Sequence, residues 1–197
     1  MIYVFDIDGT LAECWYGNQR PCFYNTREDI VTRSMQRNLY EYTKPLPHVQ
    51  KFLDNIFETE TLLGDKARFA AITHIMNGTE FTQKQDFLSG LFRTPDQEPY
   101  FDKDNIYGVT QAADKYHVLH CLVSRYYEPT VYFDDNIDIL CDINNKQADN
   151  ALCSGKAMQA PYIMTVHSSS MCTRTASEIR MAYTRSENDF KYLKNSF

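Results

Sequence analysis

The sequence predicts an α/β protein: a Rossmann-like, three-layer α/β/α sandwich around a mostly parallel sheet. Three observations carry that prediction. Short apolar runs rich in β-branched and aromatic residues recur at 2–5, 68–74, 105–110, 130–133 and 161–166. Stretches with apolar residues at helical spacing separate them, so strand and helix alternate along the whole chain. Several of the runs are apolar without alternation, the pattern of strands covered by helices on both faces.

The first strand, Ile2-Tyr3-Val4-Phe5, runs directly into Asp6-Ile7-Asp8-Gly9-Thr10-Leu11. Strand alternation puts residues 6 and 8 on the same side of the backbone. In parallel sheets chemistry gathers just beyond the carboxyl ends of the strands, so one small electrophile or cation can touch both carboxylates. An EF-hand calcium loop fails on spacing, because Gly stands fourth and Leu sixth. A receiver-type phosphoacceptor domain would need its acceptor Asp in mid-chain. An ordinary Asp-Gly turn is the alternative for this motif taken alone.

Residues 12–44 follow as a polar, aromatic insertion containing Trp15, Tyr16, Phe23, Tyr24, Tyr40 and Tyr42. Arg20, Arg27, Arg33, Arg37 and Lys44 stand there against Glu13, Glu28, Asp29 and Glu41, so the stretch is net positive in a chain of net charge -6. A basic, aromatic flap beside strand-end carboxylates suits an anionic ligand, with Arg20 and Arg27 as candidate substrate contacts. A solvated surface hairpin or helix is the competing reading.

Pro45 and Pro47 then punctuate the chain, and Val49, Phe52, Leu53, Ile56 and Phe57 mark one face of an amphipathic helix. The strand 68–74 ends in Thr73 and His74. A second short insertion is expected at about 76–105, with a helix over 82–92 whose core side is Phe81, Leu88, Leu91 and Phe92. The strand 105–110 leads to a helix over about 113–127. Lys115 lies in its first turn, where the helix dipole disfavours a cation, and local exceptions of that kind collect at functional sites. The fourth strand ends in Asp134 and Asp135, repeating the logic of the first. A helix over 137–143, a polar loop over 144–156, a strand over 161–166 and a helix over 173–193 complete one core domain spanning 1–197.

At 197 residues, 43% hydrophobic and 23% charged, the chain has the composition of a folded globular protein rather than a disordered one. Its negative charge argues against broad binding to nucleic acid or to anionic membrane. No apolar run approaches the roughly 18 residues of a membrane span. The start carries no basic stretch ahead of a long apolar one, so a cytoplasmic location is expected. The six cysteines are scattered without a CxxC pair, which signals neither zinc nor redox chemistry; most are expected to be small buried hydrophobes.

Taken together, a DxDGT loop, a strand-terminal Thr73, an isolated Lys115 and the late pair Asp134-Asp135 resemble the haloacid dehalogenase (HAD) superfamily of phosphohydrolases. The resemblance spans residues 2 to about 140. It implies that Asp6 is a nucleophile forming an aspartyl-phosphate and that Asp8 is the general acid and base. Thr73 would hold a phosphoryl oxygen, and Lys115 would neutralise Asp6 and the phosphoryl group. Thr10 and His74 are further candidate substrate contacts. Crowded carboxylates beside a phosphate dianion repel by about 4 kcal/mol per pair at 4 Å and an effective dielectric of 20, more than one Lys offsets. A hard cation, Mg2+, is therefore expected. By resemblance its ligands are Asp6, the Asp8 carbonyl and one carboxylate of the late pair, with Asp135 favoured as direct ligand and Asp134 as its neighbour. The expected activity is hydrolysis of a small phosphorylated substrate, a nucleotide or another phosphometabolite. The alternatives are a phosphate on a nucleic-acid end or a protein, or a non-catalytic binding protein on the same fold.

Overall fold

The computed structural model describes residues 1–13, 32, 35–36, 38–153 and 162–195; the side chains of 151–153 and 192–195 lie outside that description. Five strands, β1 (Ile2–Phe5), β2 (Arg68–His74), β3 (Ile106–Val109), β4 (Thr130–Asp134) and β5 (Ile163–His167), form one sheet in the order β3-β2-β1-β4-β5. All four pairings are parallel. Parallel neighbours need crossover connections. These contain α1 (Val49–Leu62), α2 (Gly78–Leu91), α3 (Lys115–Tyr126) and α4 (Ile137–Cys153), and α5 (Ala176–Asn195) follows β5.

The two faces of the sheet are covered by different helices. Tyr3, Phe5, Phe69, Val131 and Phe133 pack against Val49, Phe52, Leu53 and Ile56 of α1, Leu88 of α2, and Ile179 and Tyr183 of α5. Val4, Ala70, Ile72 and Tyr132 pack on the opposite face against Leu119 and Val123 of α3 and Leu140 and Ile143 of α4. That double coverage explains why the strands read as unbroken apolar runs. Across the centre Val4 faces Ala70 on one side and Tyr132 on the other, and the rings of Phe5 and Phe133 stack at 4.7 Å. The connections run outward from β1 through β2 to β3 and then return to β4, so the strand order reverses between β1 and β4. The carboxyl end of such a reversal opens a crevice. Both acidic motifs sit there.

Several boundaries differ from the sequence reading. Helix α4 continues to Cys153 through a stretch expected as a loop over 144–156. Its polar residues are engaged rather than idle: Gln147 donates to the Ile163 carbonyl at 3.1 Å and accepts from the Ile163 amide at 2.7 Å, and Asn144 donates to Thr165 at 2.9 Å. Hydrogen bonds to the edge strand β5 stand in for the apolar stripe that a helix normally shows. Helix α2 begins at Gly78, four residues earlier than expected, because Asn77 caps it by accepting from the Glu80 amide at 2.8 Å. The stretch 76–105, read as an insertion, is the β2–β3 connection and supplies buried Leu88, Phe92 and Phe101 to the core. Cys121, Cys141 and Cys172 are exposed rather than buried, because each falls on the solvent side of its turn or helix. Among the described residues no helix is long and apolar enough to cross a membrane.

Candidate active site

Asp6 immediately follows β1, and its amide donates to the Phe133 carbonyl at 2.9 Å, which ties it to β4. Its side chain is buried, and Oδ1 accepts from Lys115 Nζ at 2.9 Å. Lys115 opens α3, is itself buried, and donates at 2.8 Å to Asp134 Oδ2. Among the described residues, Lys115 therefore spends two of its three donors on protein carboxylates, and Asp6 Oδ2 has no partner.

Burial pushes the Asp6 carboxyl up to about 7; Lys115 opposes this, while Asp134 and Asp8 add to it. Burial also works against the charge of Lys115, but Asp6 and Asp134 outweigh it and hold its pKa above the ordinary value.

Asp134 is fully buried and hydrogen-bonded at both oxygens. Its Oδ2 accepts from Tyr132 as well as Lys115, and its Oδ1 accepts from the Asn136 amide at 2.8 Å. Burial, followed by Asp6 and Asp134, raises the Tyr132 pKa well above its usual value, so that hydroxyl remains a donor. Asp135 is exposed and turns toward the DxDGT loop. Gly9 makes this approach feasible. Its φ is +80°, and a Cβ built there would stand 2.3 Å from Asp135 Oδ2, so both the backbone conformation and the space require glycine. Burial and Asp134 raise the Asp135 pKa.

Asp6, Asp134 and Asp135 each offer an oxygen within 4.8 Å of the others. An all-oxygen donor set suits a hard divalent cation. Asp134 Oδ2 already accepts two hydrogen bonds and its Oδ1 one, which leaves Asp6 and Asp135 the less committed carboxylates to hold one.

Asp8 lies on the other side of Asp6, with its side chain 20% exposed. Oδ2 accepts from Lys84 Nζ at 2.7 Å, and Oδ1 accepts from the Tyr40 hydroxyl at 3.0 Å. Thr73, buried near the end of β2, accepts from Lys84 at 2.9 Å. Tyr40 belongs to the 12–44 insertion and leans on Phe87 of α2 at 5.1 Å between ring centres. The insertion thus reaches the site through an aromatic residue. Arg20 and Arg27, its expected substrate contacts, lie outside the described residues.

The two other expected contacts are Thr10 and His74. Thr10 is fully buried, and its hydroxyl has no partner among the described residues. The Nε2 of His74 lies 3.0 Å from the Thr110 carbonyl, so that nitrogen carries the proton and the ring is tied to the end of β3.

Lys84 is the functional candidate that the sequence reading missed. It is 2% exposed, although lysine is almost never fully buried unless paired. The signal was present: residues 81, 84, 88 and 91 recur at intervals of three and four, which places a lysine on the apolar stripe of α2. Tyr40, read only as an aromatic residue of the insertion, and Tyr132, read only as part of the fourth strand, also belong to the site. Their hydroxyl partners depend on tertiary approach and left no pattern in the chain.

The fold and the site together define a parallel α/β protein with an acidic, lysine-braced centre at its topological switch point. No family model matches the sequence, and no curated protein matches it. Among solved structures the chain is similar to the HAD domain of the effector protein Lem4 from Legionella pneumophila, with 12% identity, 84% of each chain covered and a TM-score of 0.44. A likeness at that level bears on neither mechanism nor substrate.

Proposed function

We propose that the chain is a magnesium-dependent phosphatase of the HAD type, hydrolysing a phosphomonoester through an aspartyl-phosphate on Asp6. The observation that carries this reading is the asymmetry of the Asp6 carboxylate. One oxygen is fixed by Lys115 at 2.9 Å, and the other has no partner among the described residues, the arrangement a nucleophile needs. In the first step Asp6 Oδ2 forms a bond to phosphorus as the bond to the leaving oxygen breaks, and that oxygen takes a proton from Asp8. In the second, water gives a proton to Asp8 and bonds to phosphorus, the phosphorus–Asp6 bond breaks, and inorganic phosphate leaves. The remaining Lys115 donor and the Thr73 hydroxyl would hold phosphoryl oxygens. Asp6, Asp135 and the Asp8 carbonyl would hold the cation, which when bound offsets charge on the carboxylates and on the transferring group. Tyr40 and the basic 12–44 stretch favour a small substrate with an aromatic portion, such as a nucleotide.

The test is phosphate release by the purified protein from para-nitrophenyl phosphate and from a panel of nucleotides, sugar phosphates and a phosphopeptide, with magnesium or chelator, beside Asp6→Asn. Magnesium-dependent turnover that is lost in the variant supports the reading. A folded wild-type protein inactive on the whole panel overturns it.

A further inference from the structure

Lys84 has the donors of a phosphate ligand but not their availability. Its ammonium group carries three N–H bonds, and all three are spent inside the protein. One goes to Asp8 Oδ2 at 2.7 Å, one to Thr73 Oγ1 at 2.9 Å and one to the His74 carbonyl. Glu80, one turn earlier on α2, adds its charge at 3.4 Å and is itself fixed by accepting from the Met76 amide at 2.7 Å. Lys115 contrasts with it in keeping one donor uncommitted among the described residues. The two buried lysines therefore do different work.

We propose that Lys84 is a positioning residue, locking the Asp8 carboxylate and the Thr73 hydroxyl into one geometry without touching substrate itself. This inference rests on the phosphatase reading. The Thr73 oxygen accepts from Lys84, so its own proton must point elsewhere. Among the described residues its one acceptor is the His74 carbonyl, at 3.5 Å, a separation too long for a strong hydrogen bond. Lys84 thus leaves the Thr73 proton free to meet a phosphoryl oxygen. At the same time it sets the rotamer of Asp8, which no other buried cation holds among the described residues. Tyr40, whose ring packs on Phe87 of α2, is the other donor to Asp8, at 3.0 Å.

The experiment is a double-mutant cycle on phosphate release, with wild type, Lys84→Met, Asp8→Asn and the double variant, each checked for folding by its melting transition. Loss of a positioning contact at this distance should lower kcat by roughly ten- to a hundredfold. Because Lys84 acts through Asp8, the double variant should fall within about threefold of Asp8→Asn alone, a failure of additivity that marks residues in one network. A merely structural lysine would lower the activity of Asp8→Asn by the same factor as that of wild type, and such additivity overturns the inference. If Lys84→Met does not fold, the cycle is run in a Glu80→Gln background, which removes the buried carboxylate left behind. Absence of wild-type turnover overturns the phosphatase reading and this inference with it, whereas turnover with additive losses overturns this inference alone.

Discussion

Asp6 pays in stability for its position, and the amount can be worked from its surroundings. The carboxyl is buried with Asp134 and Asp8 nearby, and its pKa stands at about 7 against an ordinary 3.8 even with Lys115 in contact. Ionising it in the folded, cation-free chain therefore costs about 4 kcal/mol. Asp6→Asn keeps the shape and removes the charge. It also removes one partner of Lys115, which retains Asp134 at 2.8 Å, so the expected net gain is smaller, about 1–3 kcal/mol. A carboxyl raised in the folded state contributes stability that is present below its unfolded pKa and lost as pH rises through the folded one. The variant and wild type should thus be nearly equal near pH ~4 and separate between about pH 4 and 7. Urea unfolding in chelator measures this across pH, and at about pH 8 a melting shift of roughly 2–4 °C per kcal/mol should accompany it for a chain of this length. Magnesium should narrow the gap by stabilising only the wild type. A variant no more stable than wild type at high pH, or a gap that does not change with pH, would refute the reasoning.

Other substitutions read separate parts of the structure. Gly9→Ala forces a Cβ to 2.3 Å from Asp135 Oδ2 at φ +80° and should cost about 1–3 kcal/mol while abolishing stabilisation by magnesium in a thermal-shift titration; unchanged magnesium response would show that Asp135 does not need that approach. Asp135→Asn should weaken the same magnesium response at least tenfold in apparent Kd while leaving the chelated protein as stable as wild type, because Asp135 is exposed and Asp134 carries the buried contacts. Gln147→Ala strands the amide and carbonyl of Ile163 and should cost about 1–3 kcal/mol in urea unfolding; a neutral result would mean that the Gln147 bonds contribute nothing to holding α4 on β5.

The alternation of apolar runs with helical stripes was enough to predict the layered parallel fold, because strands buried on both faces must be apolar throughout and crossovers must be helical. The acidic pairs were equally legible, since Asp6-Ile7-Asp8 and Asp134-Asp135 each terminate such a run and period-2 geometry fixes their sides. Polar contacts over long sequence separations were not legible. Helix α4 looked like a loop beyond residue 143 because buried Gln147 and exposed Asn144 bond it to β5, and an amide that substitutes for a hydrophobe leaves no periodic trace. Lys84 reaches Asp8 across 76 residues of chain, and Tyr40 reaches it across 32; only the tertiary approach of α2 and of Tyr40 to the end of β1 brings them there. Where the carboxylates gather follows from the local pattern of the chain. The tertiary structure decided which of them are already satisfied and which are left to react, because that depends on donors delivered by distant elements whose approach is set by packing, not by local pattern.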